Sequence, residues 1–179
     1  MGYLKNNFYV ITGGPGAGKT SLIEALGYRG FNVIGETGRI IIKERISRGL
    51  APRPAQGQFG RLMFERDFQA YLENLDTMDE LFFDRSFVDS AMILYKSGRL
   101  FSGTIDDIIV SHRFNKKIFM TPPWPEIYCN DDERDQSFED ATNIFENLLE
   151  WYKLKGYQPI MIPKIAVMER VNFILASIK

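Results

Sequence analysis

The chain has 179 residues, of which 45% are hydrophobic, enough to bury the core of one domain. Its 22 basic and 23 acidic side chains leave a formal net charge of −1, which argues against nucleic-acid and anionic-membrane partners. One cysteine and one histidine exclude an internal disulfide and most transition-metal sites. No apolar run approaches the ~18 residues of a membrane helix. We therefore expect a cytoplasmic protein with a single domain over residues 1–179.

Short apolar runs alternate with longer amphipathic segments, a pattern typical of an α/β fold built on a parallel sheet. In chain order, the predicted elements are a strand at 8–12, a helix at 18–27, a strand at 31–34, helices at 37–48 and 59–76, a strand at 81–83, helices at 87–95 and 105–113, a strand at 117–120, a helix at 138–155, a strand at 158–162 and a helix at 166–178. After the fourth strand the chain becomes rich in proline and then in acidic residues. We predict that this insertion, residues 121–137, forms a lid.

The first predicted strand runs into the strongest motif of the chain, which reads Gly13-Gly14-Pro15-Gly16-Ala17-Gly18-Lys19-Thr20. It matches the P-loop pattern G-x-x-x-x-G-K-[ST] in the required context of a strand before it and a helix after it. The glycines let the backbone aim successive N–H groups at an anion, and the helix N-terminus adds partial positive charge. Lys19 supplies a charge for the β and γ phosphates, and Thr20 offers a hydroxyl to Mg²⁺. Together with Ser21, the motif predicts a site for ATP and Mg²⁺.

Nucleotide binding alone does not determine the reaction, so the motifs that are missing narrow the class. The string Asn115-Lys116-Lys117-Ile118 lacks the aspartate of the guanine-reading N-K-x-D sequence of Ras-type GTPases. The L-S-G-G-Q signature of ABC ATPases is missing as well. Asp84 is followed by Arg85, whereas AAA+ machines usually have adjacent Asp and Glu after the corresponding strand. A small P-loop kinase remains.

The string Asp84-Arg85-Ser86 directly follows the third predicted strand. Ligands bind at the carboxyl ends of strands in a doubly wound sheet, so we expect this string to lie near the P-loop. There Asp84 would hold Mg²⁺ directly or through water, and the planar fork of Arg85 suits a phosphate. The same spacing also permits an ordinary cap at the start of the next helix.

Asp84-Arg85-Ser86 resembles the Glu/Asp-Arg-Ser/Tyr string of the deoxynucleoside and thymidylate kinases. Glu36, just past the second strand, is at a place similar to that of the Glu that serves as base for the attacking hydroxyl in deoxynucleoside kinases. Phe68-Gln69 is similar to a helical Phe-Gln pair along their base pocket, which implies substrate binding by Gln69. The resemblance also implies a doubly wound, five-stranded parallel sheet with strand order 2-3-1-4-5.

Over nearly its whole length the chain also resembles small AAA-domain ATPases related to ribosylnicotinamide kinases. The shared features are Glu-Thr-x-Arg at 36–39, the Asp-Arg-Ser string, Glu-Arg at 133–134 and Gly-Tyr before the last strand. This similarity supports the fold better than it supports a substrate. Arg39 is a candidate contact for substrate or phosphate, although Glu36 and Arg39 at a helix start could equally be solvated or complement the helix dipole.

The predicted lid carries one candidate for phosphate binding, Arg134, the only cation between Lys117 and Lys153. Lids of nucleotide kinases place arginines over the transferred phosphoryl group, where negative charge must be neutralised. An acidic run such as the one around Arg134 is usually no more than a solvated loop. Trp124 and Tyr128 either cover an acceptor ring or pack beneath the lid.

These patterns favour a kinase that transfers the γ-phosphoryl group of ATP to a hydroxyl of a small, nucleoside-like acceptor. Lys19 and Arg85 would hold phosphates, and Thr20 and Asp84 would organise Mg²⁺. Glu36 would accept the hydroxyl proton, with Asp84 as the alternative base. The rival function is a nucleotide-dependent regulatory ATPase that acts on a protein partner. Because this class often dimerises through helices flanking the sheet, a homodimer is a further expectation.

Overall fold

The computed structural model describes residues 2–55, 57–96, 103–128 and 137–179. The strands are β1 (Tyr3–Leu4), β2 (Phe8–Gly13), β3 (Asn32–Ile34), β4 (Leu81–Asp84), β5 (His112–Arg113), β6 (Lys117–Thr121) and β7 (Gln158–Met161). The α-helices are α1 (Lys19–Tyr28), α2 (Thr37–Ser47), α3 (Gln58–Glu73), α4 (Phe87–Lys96), α5 (Thr104–Ser111), α6 (Phe138–Leu154) and α7 (Val167–Ile178). A short 3-10 helix covers Pro125–Ile127. None of the helices in the described ranges is both long and apolar enough to cross a membrane.

The central sheet has five parallel strands in the order β3-β4-β2-β6-β7. Counted along the five predicted strands, this order is 2-3-1-4-5, so the α/β fold class and the strand order are both confirmed. The register pairs Ile11 with Asp84 and Gly13 with Thr121. The carboxyl ends of β2, β4 and β6 therefore lie at one edge of the sheet, and the P-loop and Asp84 meet there.

Strand β2 explains why helices cover both faces of the sheet. All six of its residues are buried. Successive side chains point to opposite faces, so Phe8 and Val10 join one core while Tyr9 and Ile11 join the other. The first core contains residues from α3, α4 and α6, and the second contains residues from α1 and α7. The sheet is thus doubly wound, as expected.

One predicted helix is shorter in the structure. The helix predicted at 105–113 ends at Ser111, and His112–Arg113 forms β5, which pairs in parallel with β1. His112 also stacks on Tyr3, with 5.3 Å between the ring centroids. A two-residue strand carries no periodic signal, and its partner here is far away in sequence, so the local pattern could not indicate the pairing. Of the predicted lid, residues 129–136 lie outside the described residues.

Phe82 offers a test of the core on the α1 and α7 side of the sheet. It has no exposed surface, and its ring lies 5.4 Å from Tyr9 and 5.5 Å from Phe31. Phe82→Ala leaves a cavity between these rings, and we expect it to lower the free energy of unfolding by about 3–5 kcal/mol in urea denaturation. Tyr28→Ala is the matched control, because that aromatic ring is 93% exposed. Its effect should stay within about 0.5 kcal/mol. Equal effects of the two variants would contradict the packing described here.

Candidate active site

The P-loop joins β2 to α1 and encloses the ammonium group of Lys19. Gly16 and Gly18 have φ angles of 71° and 74°, in the left-handed region that glycine tolerates without strain. Lys19 Nζ donates hydrogen bonds to the carbonyl oxygens of Gly14 at 2.7 Å and Gly13 at 3.2 Å. Burial lowers the pKa of Lys19 to about 8, and the charge of Arg85 adds to this effect. The lysine is therefore still mostly protonated at neutral pH, and its predicted role in phosphate binding requires that charge.

Asp84 ends β4 beside the P-loop and has an unused acceptor. Its side chain is 5% exposed, and its Oδ1 atom has no hydrogen-bond partner among the described residues. Burial raises the pKa of Asp84 to about 6, against the charge of Lys19, which lowers it. A buried carboxylate oxygen without a partner is unfavourable unless a ligand or ion satisfies it. Asp84 is therefore suited to bind a cation.

Glu36 carries an ion pair to each of two arginines. Its Oε1 accepts from Arg85 Nε at 3.2 Å, and its Oε2 accepts from Arg39 Nε at 3.3 Å. Burial acts to raise the pKa of Glu36, but the charges of Arg85, Lys19 and Arg39 outweigh it and hold the pKa below its ordinary value. Although Glu36 precedes α2, its side chain makes no capping hydrogen bond. The carboxylate is thus ionised and held by the arginines rather than by the helix terminus.

Arg85 is positioned by an unusual backbone conformation and by a second carboxylate. Its φ of 67° makes it the only non-glycine residue with positive φ in the described ranges. Its Nη1 lies 3.8 Å from Oδ1 of Asp89, which also accepts a hydrogen bond from the Thr12 hydroxyl. The other carboxylate oxygen of Asp89, Oδ2, accepts from the Tyr152 hydroxyl at 2.5 Å. The backbone N–H of Ser86 donates to the same carboxylate at 3.0 Å. Asp89 therefore orients the string that follows β4, and the sequence analysis did not identify it.

On α3, the structure buries a residue other than the predicted one. Gln69 is exposed and donates to Glu73 at 3.0 Å, so it does not join the other predicted site residues. Asp67, two positions earlier, is buried and accepts from the Ser90 hydroxyl at 2.6 Å. Thr37, directly after Glu36, also hydrogen-bonds to Asp67. A shift of two residues on a helix turns a side chain by about 200°, which accounts for the difference.

The P-loop lines a cleft of about 440 Å³ together with residues that follow strands on both sides of β2. Glu36 and Arg39 follow β3, and they line one side together with residues 16–21 of the P-loop. The other side is formed by residues that follow β6 and β7, namely Trp124, Ile127, Ile165, Ala166, Val167 and Arg170. Trp124 therefore lines the cleft on the side away from Glu36. Arg134 lies outside the described residues, so its predicted role remains a prediction.

The family follows from comparison of the whole sequence. The sequence model of the family described as AAA domain matches residues 8–170. The chain belongs to this AAA-domain family. No curated protein matches it significantly in sequence.

This AAA-domain protein is similar in fold to deoxyadenosine kinase from M. mycoides. The structure of that kinase with the products dCMP and a flexible dCDP matches with a TM-score of 0.68 and 12% identity, over 95% of this chain and 97% of that chain. Its structure with bound dATP matches with a TM-score of 0.64 and 13% identity, over the same shares of the two chains. The fold is thus that of P-loop, nucleoside-kinase-like proteins, as the sequence resemblance implied.

The donor atoms of this AAA-domain protein fit a magnesium ion better than a protein-bound transition metal. The described residues contain no group of three or more His, Cys, Asp or Glu side chains that could hold a metal by themselves. Mg²⁺ prefers oxygen ligands, and it usually takes only one or two from protein and the rest from phosphates and water. The unpartnered Oδ1 of Asp84, at the end of β4, and the hydroxyl of Thr20, which lines the cleft, match that requirement.

Asp67 gives a prediction about the pH dependence of stability. Burial raises its pKa to about 7, although hydrogen bonds from Ser90 and Thr37 lower it. The folded protein therefore binds this proton more tightly than the unfolded chain, so the contribution of Asp67 to stability falls as pH rises from about 4 to about 7. Asp67→Asn removes that loss. Between about pH 5 and about pH 8, we expect the free energy of unfolding of the variant, measured by urea denaturation, to exceed that of wild type by about 1–3 kcal/mol.

The control for this measurement is Asp76→Asn, which changes an exposed aspartate in the turn after α3. Its stability relative to wild type should not vary over the same pH range. If the difference in free energy of unfolding between Asp67→Asn and wild type did not change with pH, the raised pKa of Asp67 would be contradicted.

Proposed function

We propose that the protein is an ATP-dependent kinase that transfers the γ-phosphoryl group to a hydroxyl of a small, nucleoside-like acceptor. The observation that carries the proposal is the ionised carboxylate of Glu36 in the same cleft as the P-loop. A protein that only bound nucleotide would not require a partly buried carboxylate held by two arginines beside the P-loop. This carboxylate would accept a hydrogen bond from the acceptor hydroxyl.

The donor side of the proposed reaction uses the P-loop and the cation ligands. Backbone N–H groups of the loop and the N-terminus of α1 would bind the β and γ phosphates. Lys19, protonated and buried, would exchange its hydrogen bonds with Gly13 and Gly14 for phosphate oxygens. Thr20 and Asp84 would hold Mg²⁺, which supplies positive charge to the phosphates when it is bound. Burial of these groups strengthens their interaction with the developing charge.

The transfer step breaks one phosphorus–oxygen bond and forms another. The acceptor hydroxyl attacks the γ phosphorus, the bond from that phosphorus to the β,γ-bridging oxygen breaks, and ADP leaves with that electron pair. The hydroxyl proton passes to the carboxylate of Glu36. A weak base is sufficient here, because the transition state of phosphoryl transfer is largely dissociative. Arg85 and Arg39 keep the carboxylate in place and add positive charge near the transferred group.

The nucleoside-like nature of the acceptor is proposed from similarity. The matched structures are deoxyadenosine kinases, and the fold agrees over nearly the whole length of both chains. The strings at 36–39 and 84–86 stand at the same edge of the sheet in this protein. A nucleoside has a hydroxyl that is neutral and exposed, which suits attack on a phosphoryl group held by the P-loop.

The acceptor is identified by the release of ADP from Mg·ATP in the presence of a panel of nucleosides and ribosides. We expect one class of acceptor to stimulate release by about tenfold or more over the rate without acceptor, because the oriented hydroxyl replaces water. Lys19→Ala should abolish both rates. If ADP were released slowly and no acceptor changed the rate, the kinase function would be contradicted and a regulatory ATPase favoured. The next experiment would then test whether a protein partner binds in a nucleotide-dependent way.

The role of Glu36 is tested by Glu36→Gln. We expect the rate of transfer at saturating substrate to fall by about 10²- to 10⁴-fold, since glutamine cannot accept the proton. The affinity for Mg·ATP, measured by calorimetry, should remain within about threefold of wild type, because the P-loop is unchanged.

The matched control for this variant is Glu44→Gln on α2, the helix that follows Glu36. Glu44 also forms an ion pair with an arginine, Arg66 at 2.6 Å, but on the exposed surface. Its replacement should leave the transfer rate unchanged. Transfer by Glu36→Gln at the wild-type rate would refute the assignment of Glu36 and make Asp84 the base to test next.

A further inference from the structure

Arg170 is a buried cation that has no counter-ion among the described residues. It lies in the first turn of α7 and is 3% exposed. Its Nη1 donates one long hydrogen bond, 3.5 Å, to the carbonyl oxygen of Ala17, and its Nε has no partner among the described residues. No carboxylate in the described part of the chain pairs with it, and burial lowers its pKa.

The other arginine buried beside the P-loop shows how unusual this arrangement is. Arg85 has carboxylate oxygens of Glu36 at 3.2 Å and Asp89 at 3.8 Å. A buried charge is strongly unfavourable unless it is paired and hydrogen-bonded. Arg85 meets that condition within the protein, whereas Arg170 does not. No carboxylate of the described residues satisfies Arg170, so a ligand in the cleft is the candidate partner.

The guanidinium group of Arg170 lies against the P-loop, inside the cleft. A Cβ atom added to Gly18 would be 3.1 Å from both Nη1 and Nη2. The guanidinium carbon lies 5.5 Å from the centroid of the Trp124 ring. Both side chains line the cleft, where Ile165 and Val167 add apolar surface around them. A planar cation, an aromatic ring and aliphatic side chains together suit a flat heterocyclic ring.

The order of the strands places Arg170 opposite the reacting end of the cleft. β2 and the P-loop are central, with β3 and Glu36 on one side and β6 and β7 on the other. Arg170, on the helix that follows β7, contacts the P-loop at Ala17 and lies near Trp124, which follows β6. A nucleotide whose γ phosphate faces Glu36 would therefore extend its nucleoside toward Arg170.

We propose that Arg170 recognises the nucleoside end of the donor nucleotide, stacking on the base and donating its free N–H to it or to the sugar. This inference rests on the proposed function, because it takes the direction of the nucleotide from the position of Glu36. It adds a residue that determines specificity for the donor. Arg170 contacts the donor only, so its role does not depend on which acceptor is phosphorylated.

The experiment compares two ligands that share the phosphate chain. The affinities of Mg·ATP and of magnesium tripolyphosphate are measured by calorimetry for wild type and for Arg170→Met. We expect the variant to lose about 10- to 100-fold in affinity for ATP, since a hydrogen bond to a charged group and a stacking contact disappear. Its affinity for tripolyphosphate, which has no nucleoside, should stay within about twofold.

Two controls accompany the comparison. Arg29→Met removes an exposed arginine at the end of α1, which donates a hydrogen bond to Asn172 of α7 at 2.7 Å. This variant should bind ATP and tripolyphosphate with the wild-type affinities. The nucleotide-free Arg170→Met protein should melt at or above the wild-type Tm, because an unpaired buried charge has been removed. If the methionine variant does not fold, Arg170→Lys takes its place, with the same expected difference between the two ligands.

The outcomes separate this inference from the proposed function. An unchanged affinity for ATP, or an equal loss for ATP and tripolyphosphate, overturns the role of Arg170 and leaves the kinase standing. A lower Tm with equal losses for both ligands would mark Arg170 as a structural residue and also overturn the inference. Failure of the wild-type protein to bind Mg·ATP would overturn the proposed function itself, and the inference with it.

Discussion

The carboxylate of Glu36 is shared by two guanidinium groups, and the whole β3 side of the cleft depends on that sharing. Neither Arg85 nor Arg39 could remain partly buried beside the other without an anion between them. Arg85 also adopts a left-handed backbone conformation, which costs about 1–2 kcal/mol for a residue with a Cβ atom. Glu36 and Asp89 bind its side chain from two directions and so maintain that conformation. The geometry of the string after β4 therefore follows from charge balance as much as from packing.

The remaining polar atoms of the cleft are not balanced within the protein. Three buried side-chain atoms of the described residues have no hydrogen-bond partner, and two of them, in Asp84 and Arg170, flank the P-loop. They have opposite charges and lie on different sides of the central strand. Native proteins leave few such groups unsatisfied unless a ligand completes them. A nucleotide with its metal ion would supply a cation to Asp84 and hydrogen-bond acceptors to Arg170, which supports the orientation argued above.

Local sequence patterns were sufficient for the parts of the molecule that repeat or match a motif. The spacing of the glycines, Lys19 and Thr20 is sufficient to identify the P-loop. The alternation of apolar runs with amphipathic segments is sufficient to indicate a parallel sheet. The string from Asp84 to Ser86 was singled out because it follows a strand, and the register confirms that it meets the P-loop. By contrast, the Phe-Gln resemblance could not show the phase of α3, which buries Asp67 and leaves Gln69 exposed.

The sequence by itself determined the fold class and the P-loop, because both are evident from residues that are close together in the chain, and it indicated the strand order only through resemblance to known kinases. Only the tertiary structure decided which charges meet. The contacts of Asp89 with Thr12 and Tyr152, and of Arg170 with the P-loop, join segments that are far apart in sequence. The interaction energy of a charged group depends on its burial and on its partners. Both are established only when the fold brings the carboxyl ends of the strands to one edge of the sheet.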